Sequence, residues 1–162
     1  MAGLRVTYRH NSLGRIGMRG RKYIVDASVA VKWFIPEDYS EIALRILEGF
    51  KDLRITLYAP DSMKLEFINA IRKYYIRGII TGDLMNSILE EMRKIPINYV
   101  EIDWELVVEA LKIAVKNNIT VYDAYYIATS QKHNIQVVTA DEKFYNTIAK
   151  KYNVILLKNF KI

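Results

Sequence analysis

The stretch YIVDASVAVKWF, residues 23–34, decides how the rest of the chain is interpreted. Its first three residues form a short apolar run that predicts a buried strand, and the run ends on a carboxylate, Asp26. A short helix or turn is predicted from Ser28 to Phe34, and Pro36 stops it. Because a carboxylate after a buried strand is costly to desolvate without partners, Asp26 is the first candidate for a functional site.

The same alternation of apolar runs and amphipathic stretches continues along the chain. Further strands are predicted at 55–59, 99–102, 135–139 and 154–157. The predicted helices begin at Ser40, Pro60, Thr81, Asp103, Val121 and Asp141. Strands that alternate with helices indicate an α/β fold in three layers, with a mainly parallel central sheet between helices. In such folds the ligand crevice lies at the carboxyl ends of the strands, near the point where the strand order reverses.

The composition restricts the available chemistry. The chain has 162 residues, of which 51% are apolar, and this suits a single domain. It has no cysteine and only two histidines, His10 and His133, which excludes thiol catalysis, cysteine–zinc sites and histidine-based metal sites. No apolar run approaches the ~20 residues that span a bilayer, and no secretory segment follows Met1. We therefore expect a cytoplasmic protein that does not associate with membranes.

The net charge of +6 belongs to the beginning of the chain. Residues 1–22 contain six basic residues and no acidic one, and the rest of the chain has 18 of each. We expect a basic, poorly ordered leader over residues 1–21 and a single folded domain over residues 22–162. The leader could strengthen RNA binding through counterion release. Alternatively, Met18 could be the true start of the protein.

Four carboxylates are predicted to meet at the carboxyl end of the sheet. Asp26 and Asp141 follow predicted strands, Asp123 lies in the first turn of a helix, and Glu66 lies inside another helix. Each also has a simpler explanation, since the aspartates could cap helices and Glu66 could be a solvated helix position. Clustered carboxylates repel one another, however, and require a compensating cation. Oxygen ligands suit Mg²⁺ or Mn²⁺, and one or two such ions can activate water against a phosphodiester bond.

Polar and basic residues near these acids could assist them. Ser28 and Thr139 are placed to orient carboxylates through hydrogen bonds, although each hydroxyl could equally be a local cap. Lys32, Arg72 and Lys73 could line a groove for a polyanion, or could simply be solvated. Tyrosines on the neighbouring helices could stack on unpaired bases, or could pack in the core or in a dimer interface.

Four short segments of the chain resemble the PIN-domain ribonucleases, and most closely the VapC-type toxins of VapBC toxin–antitoxin pairs. They are VDASVAVKWF (25–34), LEFINAI (65–71), YDAYYIA (122–128) and TADEKF (139–144). The resemblance covers roughly residues 22–158 and implies a PIN-like α/β/α fold. It also implies a Mg²⁺- or Mn²⁺-dependent endoribonuclease. In it the metal-binding acids are Asp26, Glu66, Asp123 and Asp141, with Ser28 and Thr139 as polar helpers.

The resemblance also implies partners. These are a structured RNA substrate such as tRNA or ribosomal RNA, a small VapB-like antitoxin that occupies the active-site groove, and a second copy of the chain in a homodimer. Two other functions remain open on the sequence alone. One is a housekeeping RNA-processing nuclease, and the other is a PIN-fold RNA- or protein-binding module without catalysis. An adjacent upstream reading frame that encodes a small DNA-binding protein would favour the toxin.

Other α/β classes fit less well. A response-regulator receiver needs an acidic pair after its first strand, whereas Asp26 is followed by Ala27 and Ser28. A dinucleotide-binding domain needs a glycine-rich turn at the same place, and DASVAV has no glycine. A haloacid-dehalogenase-type phosphatase needs a second aspartate where this chain has Ser28.

Overall fold

The computed structural model describes residues 20–161, and a five-stranded sheet lies at its centre. The strands are β1 (Arg21–Val25), β2 (Ile55–Pro60), β3 (Asn98–Val100), β4 (Gln136–Thr139) and β5 (Val154–Leu156). Their order in the sheet is β3-β2-β1-β4-β5, and every neighbouring pair is parallel. The predicted strands and the parallel sheet are confirmed, with ends that move by one or two residues.

Seven α-helices lie within residues 20–161. They are α1 (Ala27–Val31), α2 (Ser40–Lys51), α3 (Met63–Ile76), α4 (Gly82–Lys94), α5 (Trp104–Asn117), α6 (Val121–His133) and α7 (Glu142–Ile148). Together with the sheet they form the three-layer α/β/α fold that the sequence predicts. Within the described range, no helix has the length and apolar character needed to cross a membrane.

Side-chain caps explain where most of the longer helices begin. Thr81, Asp103 and Asp141, which the sequence predicts as helix starts, each accept a backbone N–H from the first turn of α4, α5 and α7. Helix α6 is capped in the same way by Thr120. Helix α2 begins at Ser40 as predicted, but the Ser40 hydroxyl makes no cap bond and instead bonds within the preceding turn. The predicted start at Pro60 was wrong, because Pro60 belongs to β2 and α3 begins at Met63.

The position of β1 in the sheet creates the crevice. From β1 the chain passes to β2 and β3 on one side of the sheet, and then returns to β4 and β5 on the other side. The strand order therefore reverses between β1 and β4, which is where open α/β sheets bind ligands. Ile24 and Val25 of β1 and Val137 and Val138 of β4 are fully buried, as expected for central parallel strands covered on both faces.

The boundary of the predicted leader falls close to the start of β1. Arg21, which the prediction assigns to the leader, is the first residue of this strand, and its N–H donates to the Arg54 carbonyl at 3.0 Å. Residues 1–19, including Met18, lie outside the described residues. The basic leader and the alternative start stay predictions.

Candidate active site

Asp26 and Thr139 lie side by side where β1 and β4 end. Oδ2 of Asp26 accepts a hydrogen bond from the Thr139 hydroxyl at 2.6 Å and another from the Ser28 hydroxyl at 3.0 Å. Oδ1 accepts the backbone N–H of Ser28 at 3.2 Å, so that Asp26 also caps α1. The carboxyl group is thus held by three donors from two separate parts of the chain.

The hydroxyls of Ser28 and Thr139 connect Asp26 to the loop between β4 and α7. The Ser28 hydroxyl oxygen accepts the backbone N–H of Ala140 at 2.9 Å, and the Thr139 hydroxyl oxygen accepts that of Asp141 at 3.0 Å. Since both oxygens accept an N–H, each is free to donate its own hydrogen to Asp26. These bonds tie the first acid of the site to the segment that carries the last one.

Glu66 is located in the first turn of α3 and is half-buried. Its Oε1 accepts hydrogen bonds from the Ser62 and Tyr126 hydroxyls, each at 3.2 Å. Burial and the nearby charge of Asp26 raise the pKa of Glu66 to about 7. The simpler explanation, a solvated helix position, therefore does not describe Glu66.

Asp123 lies in the first turn of α6, and Asp141 directly precedes α7. Oδ2 of Asp123 accepts a hydrogen bond from the Thr120 hydroxyl at 2.8 Å, and the Asp123 N–H donates to the Thr120 hydroxyl oxygen at 3.1 Å. Thr120, not Asp123, is therefore the cap of α6. Asp141 does cap α7, because its Oδ1 accepts the Phe144 N–H at 2.9 Å.

The four carboxyl groups form one electrostatic cluster. Burial, and then the charge of Asp123, raises the pKa of Asp26. Burial, and then the charge of Asp141, raises the pKa of Asp123. Glu66 is affected by both Asp26 and Asp123. Because charge effects weaken with distance, these pairwise effects place the four predicted acids in one region of the structure.

The donor atoms of this cluster fit a hard divalent cation. They are all carboxylate oxygens, the ligands that Mg²⁺ and Mn²⁺ prefer. Within the described residues, Oε2 of Glu66 and Oδ2 of Asp141 accept no hydrogen bond and are available as ligands. No three acidic or histidine side chains in this range already stand close enough to hold one ion. A divalent cation bound among these carboxylates would offset their mutual repulsion.

The predicted basic residues differ in their surroundings. Lys32 is paired with Glu37 at 2.9 Å, and only 12% of its side chain is exposed. Arg72 and Lys73 are both exposed on α3. At about 100° per residue, Lys73 returns to the helix face of Glu66, whereas Arg72 lies about a third of a turn away. Lys73 is therefore the better placed of the two to meet a ligand at the carboxylates.

Three residues of the site were missed by the sequence reasoning. Thr120, Ser62 and Tyr126 hold the carboxylates of Asp123 and Glu66, and Tyr126 is only 1% exposed. The sequence separation between these residues and the acids could have indicated their roles. Thr120 precedes Asp123 by three residues, which is typical of a capping box. Ser62 lies four residues before Glu66, and Tyr126 three residues after Asp123, which places each on the helix face of an acid.

Comparison with known proteins agrees with this fold. The chain belongs to the PIN domain family, whose profile matches residues 23–150. It is 29% identical over 136 residues to Ribonuclease VapC3 of Pyrobaculum aerophilum, an alignment that covers 83% of this chain and 98% of that protein.

Two solved structures share the fold at low sequence identity. A toxin–antitoxin complex from Klebsiella pneumoniae superposes with a TM-score of 0.61 and 15% identity, covering 86% of this chain and 99% of that one. VapC20 from Mycobacterium tuberculosis, described as a toxin that cleaves the sarcin–ricin loop, also superposes with a TM-score of 0.61. Its identity is 13%, and the match covers 80% of this chain and 95% of VapC20.

Proposed function

We propose that this protein is a Mg²⁺- or Mn²⁺-dependent endoribonuclease. The observation that carries the proposal is the cluster of four carboxylates at the carboxyl ends of β1 and β4, where burial and mutual repulsion raise the pKa values of Asp26, Glu66 and Asp123. Ionised together, these acids repel one another and a polyanion, and a bound cation would offset both repulsions. The ribonuclease name of the Pyrobaculum relative supports RNA as the substrate.

The four acids Asp26, Glu66, Asp123 and Asp141 would hold one or two ions. Bound there, a divalent ion lowers the pKa of a water molecule and neutralises charge on the phosphodiester group. The chain's own groups supply the positioning. Ser28 and Thr139 fix Asp26, and the backbone N–H of Phe144 fixes Oδ1 of Asp141.

The substrate is a structured RNA such as tRNA or ribosomal RNA, and contacts beside the acids support this. Tyr122 is 67% exposed and adjoins Asp123, so its ring can stack on an unpaired base. On α3, Lys73 and the adjacent Arg72 provide positive charge for the phosphate groups of the RNA. Lys32 is held by Glu37, so it contributes to the shape of the turn after α1 more than to RNA contact. The description of VapC20 supports a ribosomal target.

The toxin role and its partners are part of the same proposal. Beside Glu66, α3 and the turn after it expose apolar side chains that the amphipathic helix of a small VapB-like antitoxin would cover. These are Leu65, Ile68, Tyr75, Ile76 and Ile79. A second exposed stripe runs along α5 at helical spacing and fits a second copy of the chain in a homodimer. It consists of Trp104, Val108, Leu111 and Val115.

Cleavage of purified tRNA and ribosomal RNA tests the proposed activity. We expect cleavage in Mg²⁺ or Mn²⁺, none in EDTA, and none by Asp26→Asn, which keeps the shape of the side chain but not its charge. The matched control is Asp52→Asn, because Asp52 is exposed and precedes β2 at the opposite end of the sheet. Full cleavage by Asp26→Asn would contradict the mechanism. Cleavage without growth inhibition on expression would favour a processing nuclease over a toxin.

A further inference from the structure

The Tyr126 hydroxyl bridges two parts of the candidate active site. It donates to Oε1 of Glu66 on α3 at 3.2 Å. The backbone N–H of Ala27, directly after Asp26, interacts with the phenolic oxygen. One buried hydroxyl therefore connects the turn after β1 with the helix that carries Glu66.

Packing alone does not explain why a tyrosine, and not a phenylalanine, occupies position 126. A phenylalanine would fill almost the same space, and a hydroxyl in a buried place costs free energy unless it is hydrogen-bonded. Tyr125, the preceding residue, offers a comparison. It is also buried, at 4% exposure, but its hydroxyl lies 3.3 Å from the Glu101 carbonyl and contacts none of the four acids.

The two carboxylate oxygens of Glu66 differ in their hydrogen bonds. Tyr126 and Ser62 both donate to Oε1, whereas Oε2 accepts no hydrogen bond within residues 20–161. A carboxylate held through one oxygen loses rotational freedom and presents the other oxygen in a restricted set of positions. Residues that fix a metal ligand in this way strengthen metal binding without touching the metal.

We propose that Tyr126 is a positioning residue for Glu66, whose buried hydroxyl holds Oε1 so that Oε2 is presented to the divalent cation. The inference rests on the proposed function, because it assumes that the four carboxylates bind a metal ion. Tyr126 itself contacts neither the metal nor the RNA. Its effect is expressed through Glu66 alone.

Mn²⁺ binding to the full chain without RNA tests this role. The free Mn²⁺ signal in electron paramagnetic resonance gives the dissociation constant directly. We expect Tyr126→Phe to bind Mn²⁺ about tenfold more weakly, in the range found when an outer hydrogen-bond partner of a metal ligand is lost. Tyr125→Phe, the matched control, should bind as the unaltered protein does. Unchanged affinity in Tyr126→Phe overturns the proposal.

A double-mutant cycle separates positioning from a general effect on the fold. If Tyr126 acts through Glu66, adding Tyr126→Phe to Glu66→Gln should weaken Mn²⁺ binding no further. An equal loss in both backgrounds overturns the proposal. Ser62→Ala removes the other donor to Oε1 and leaves Tyr126 in place. A larger loss of affinity in Ser62→Ala than in Tyr126→Phe overturns the assignment to Tyr126.

The outcomes distinguish this inference from the proposed function. If the unaltered protein binds no Mn²⁺, the metal-dependent function itself is rejected, and the positioning role with it. If the unaltered protein binds Mn²⁺ and Tyr126→Phe binds equally well, only the positioning role is rejected. Thermal unfolding of each variant in EDTA verifies that the compared proteins are folded.

Discussion

The hydroxyl of Thr139 donates to Oδ2 of Asp26 at 2.6 Å, although the two residues are 113 positions apart in the sequence. The bond joins the ends of two neighbouring parallel strands at the point where the strand order reverses. The same hydroxyl oxygen accepts the N–H of Asp141 at 3.0 Å. Thr139 therefore links the first and last acids of the site.

Replacing Thr139 tests that link. Thr139→Val keeps the shape of the side chain and removes the hydroxyl, which leaves Asp26 with one donor fewer and the Asp141 N–H without its acceptor. We expect a loss of unfolding free energy of about 1–3 kcal/mol, and RNA cleavage reduced about 10- to 100-fold. Thr139→Ser keeps the hydroxyl and should retain most of the activity. Equal activity in the valine and serine variants would contradict a role for the hydroxyl.

Removing charge from Asp123 should stabilise the metal-free protein. The pKa of Asp123 is raised by burial and by the charge of Asp141, so its ionised form opposes folding near neutral pH. Asp123→Asn should therefore raise the melting temperature in EDTA by a few degrees and remove the stabilisation that added Mn²⁺ provides. We expect the same direction for Asp141→Asn, because asparagine keeps the cap of α7. Calorimetry that shows lower melting temperatures for both variants would favour a purely structural role.

Glu66 should make the metal-free protein less stable as pH rises. Its pKa is raised from 4.5 to about 7 in the folded state, so between these values the folded protein binds more protons than the unfolded chain. The unfolding free energy must then fall with increasing pH across that window and change no further above it. Urea titrations in EDTA should show this slope for the unaltered protein and a flatter profile for Glu66→Gln. Parallel profiles would mean that Glu66 does not titrate in this window.

The exposed apolar side chains of α5, here called the α5 stripe, should form the homodimer interface. Trp104 begins this stripe and is 83% exposed. Trp104→Glu should convert a dimer to a monomer in light scattering after size-exclusion chromatography, because a buried charge without a partner is strongly disfavoured in an interface. Leu53→Glu is the control, since Leu53 is 82% exposed and lies outside the α5 stripe. A dimer that persists in Trp104→Glu would place the interface elsewhere.

Much of the fold was accessible from the sequence because its signals are local. Short apolar runs mark the strands, and cap residues such as Asp103 and Asp141 mark helix starts within three or four positions. The errors have local causes as well. Ser40 is a good cap by residue type, but its hydroxyl bonds to Glu37 and Ile35 in the preceding turn. Residue type alone does not reveal which of these competing bonds forms.

The prediction for the basic residues depended on contacts that the sequence did not show. Lys32 follows Asp26 closely, and the sequence left open whether it lines the substrate groove or is solvated; it is paired with Glu37 and largely covered. Tyr74 of α3 donates to the same glutamate. Lys32 after α1 and Tyr74 of α3 thus meet at the Glu37 carboxylate. Their contact depends on how α3 packs beside α1.

By itself, the sequence determined which strands and helices follow one another along the chain, and it predicted four acids at the crevice, because hydrophobic periodicity and strand ends are properties of short segments. Only the tertiary structure decided which groups hold those acids. Tyr126 reaches Glu66 across 60 positions, and Thr139 reaches Asp26 across 113. Such partners are brought together by the sheet order and helix packing, and the direction of a hydroxyl in a packed interior depends on all its neighbours at once.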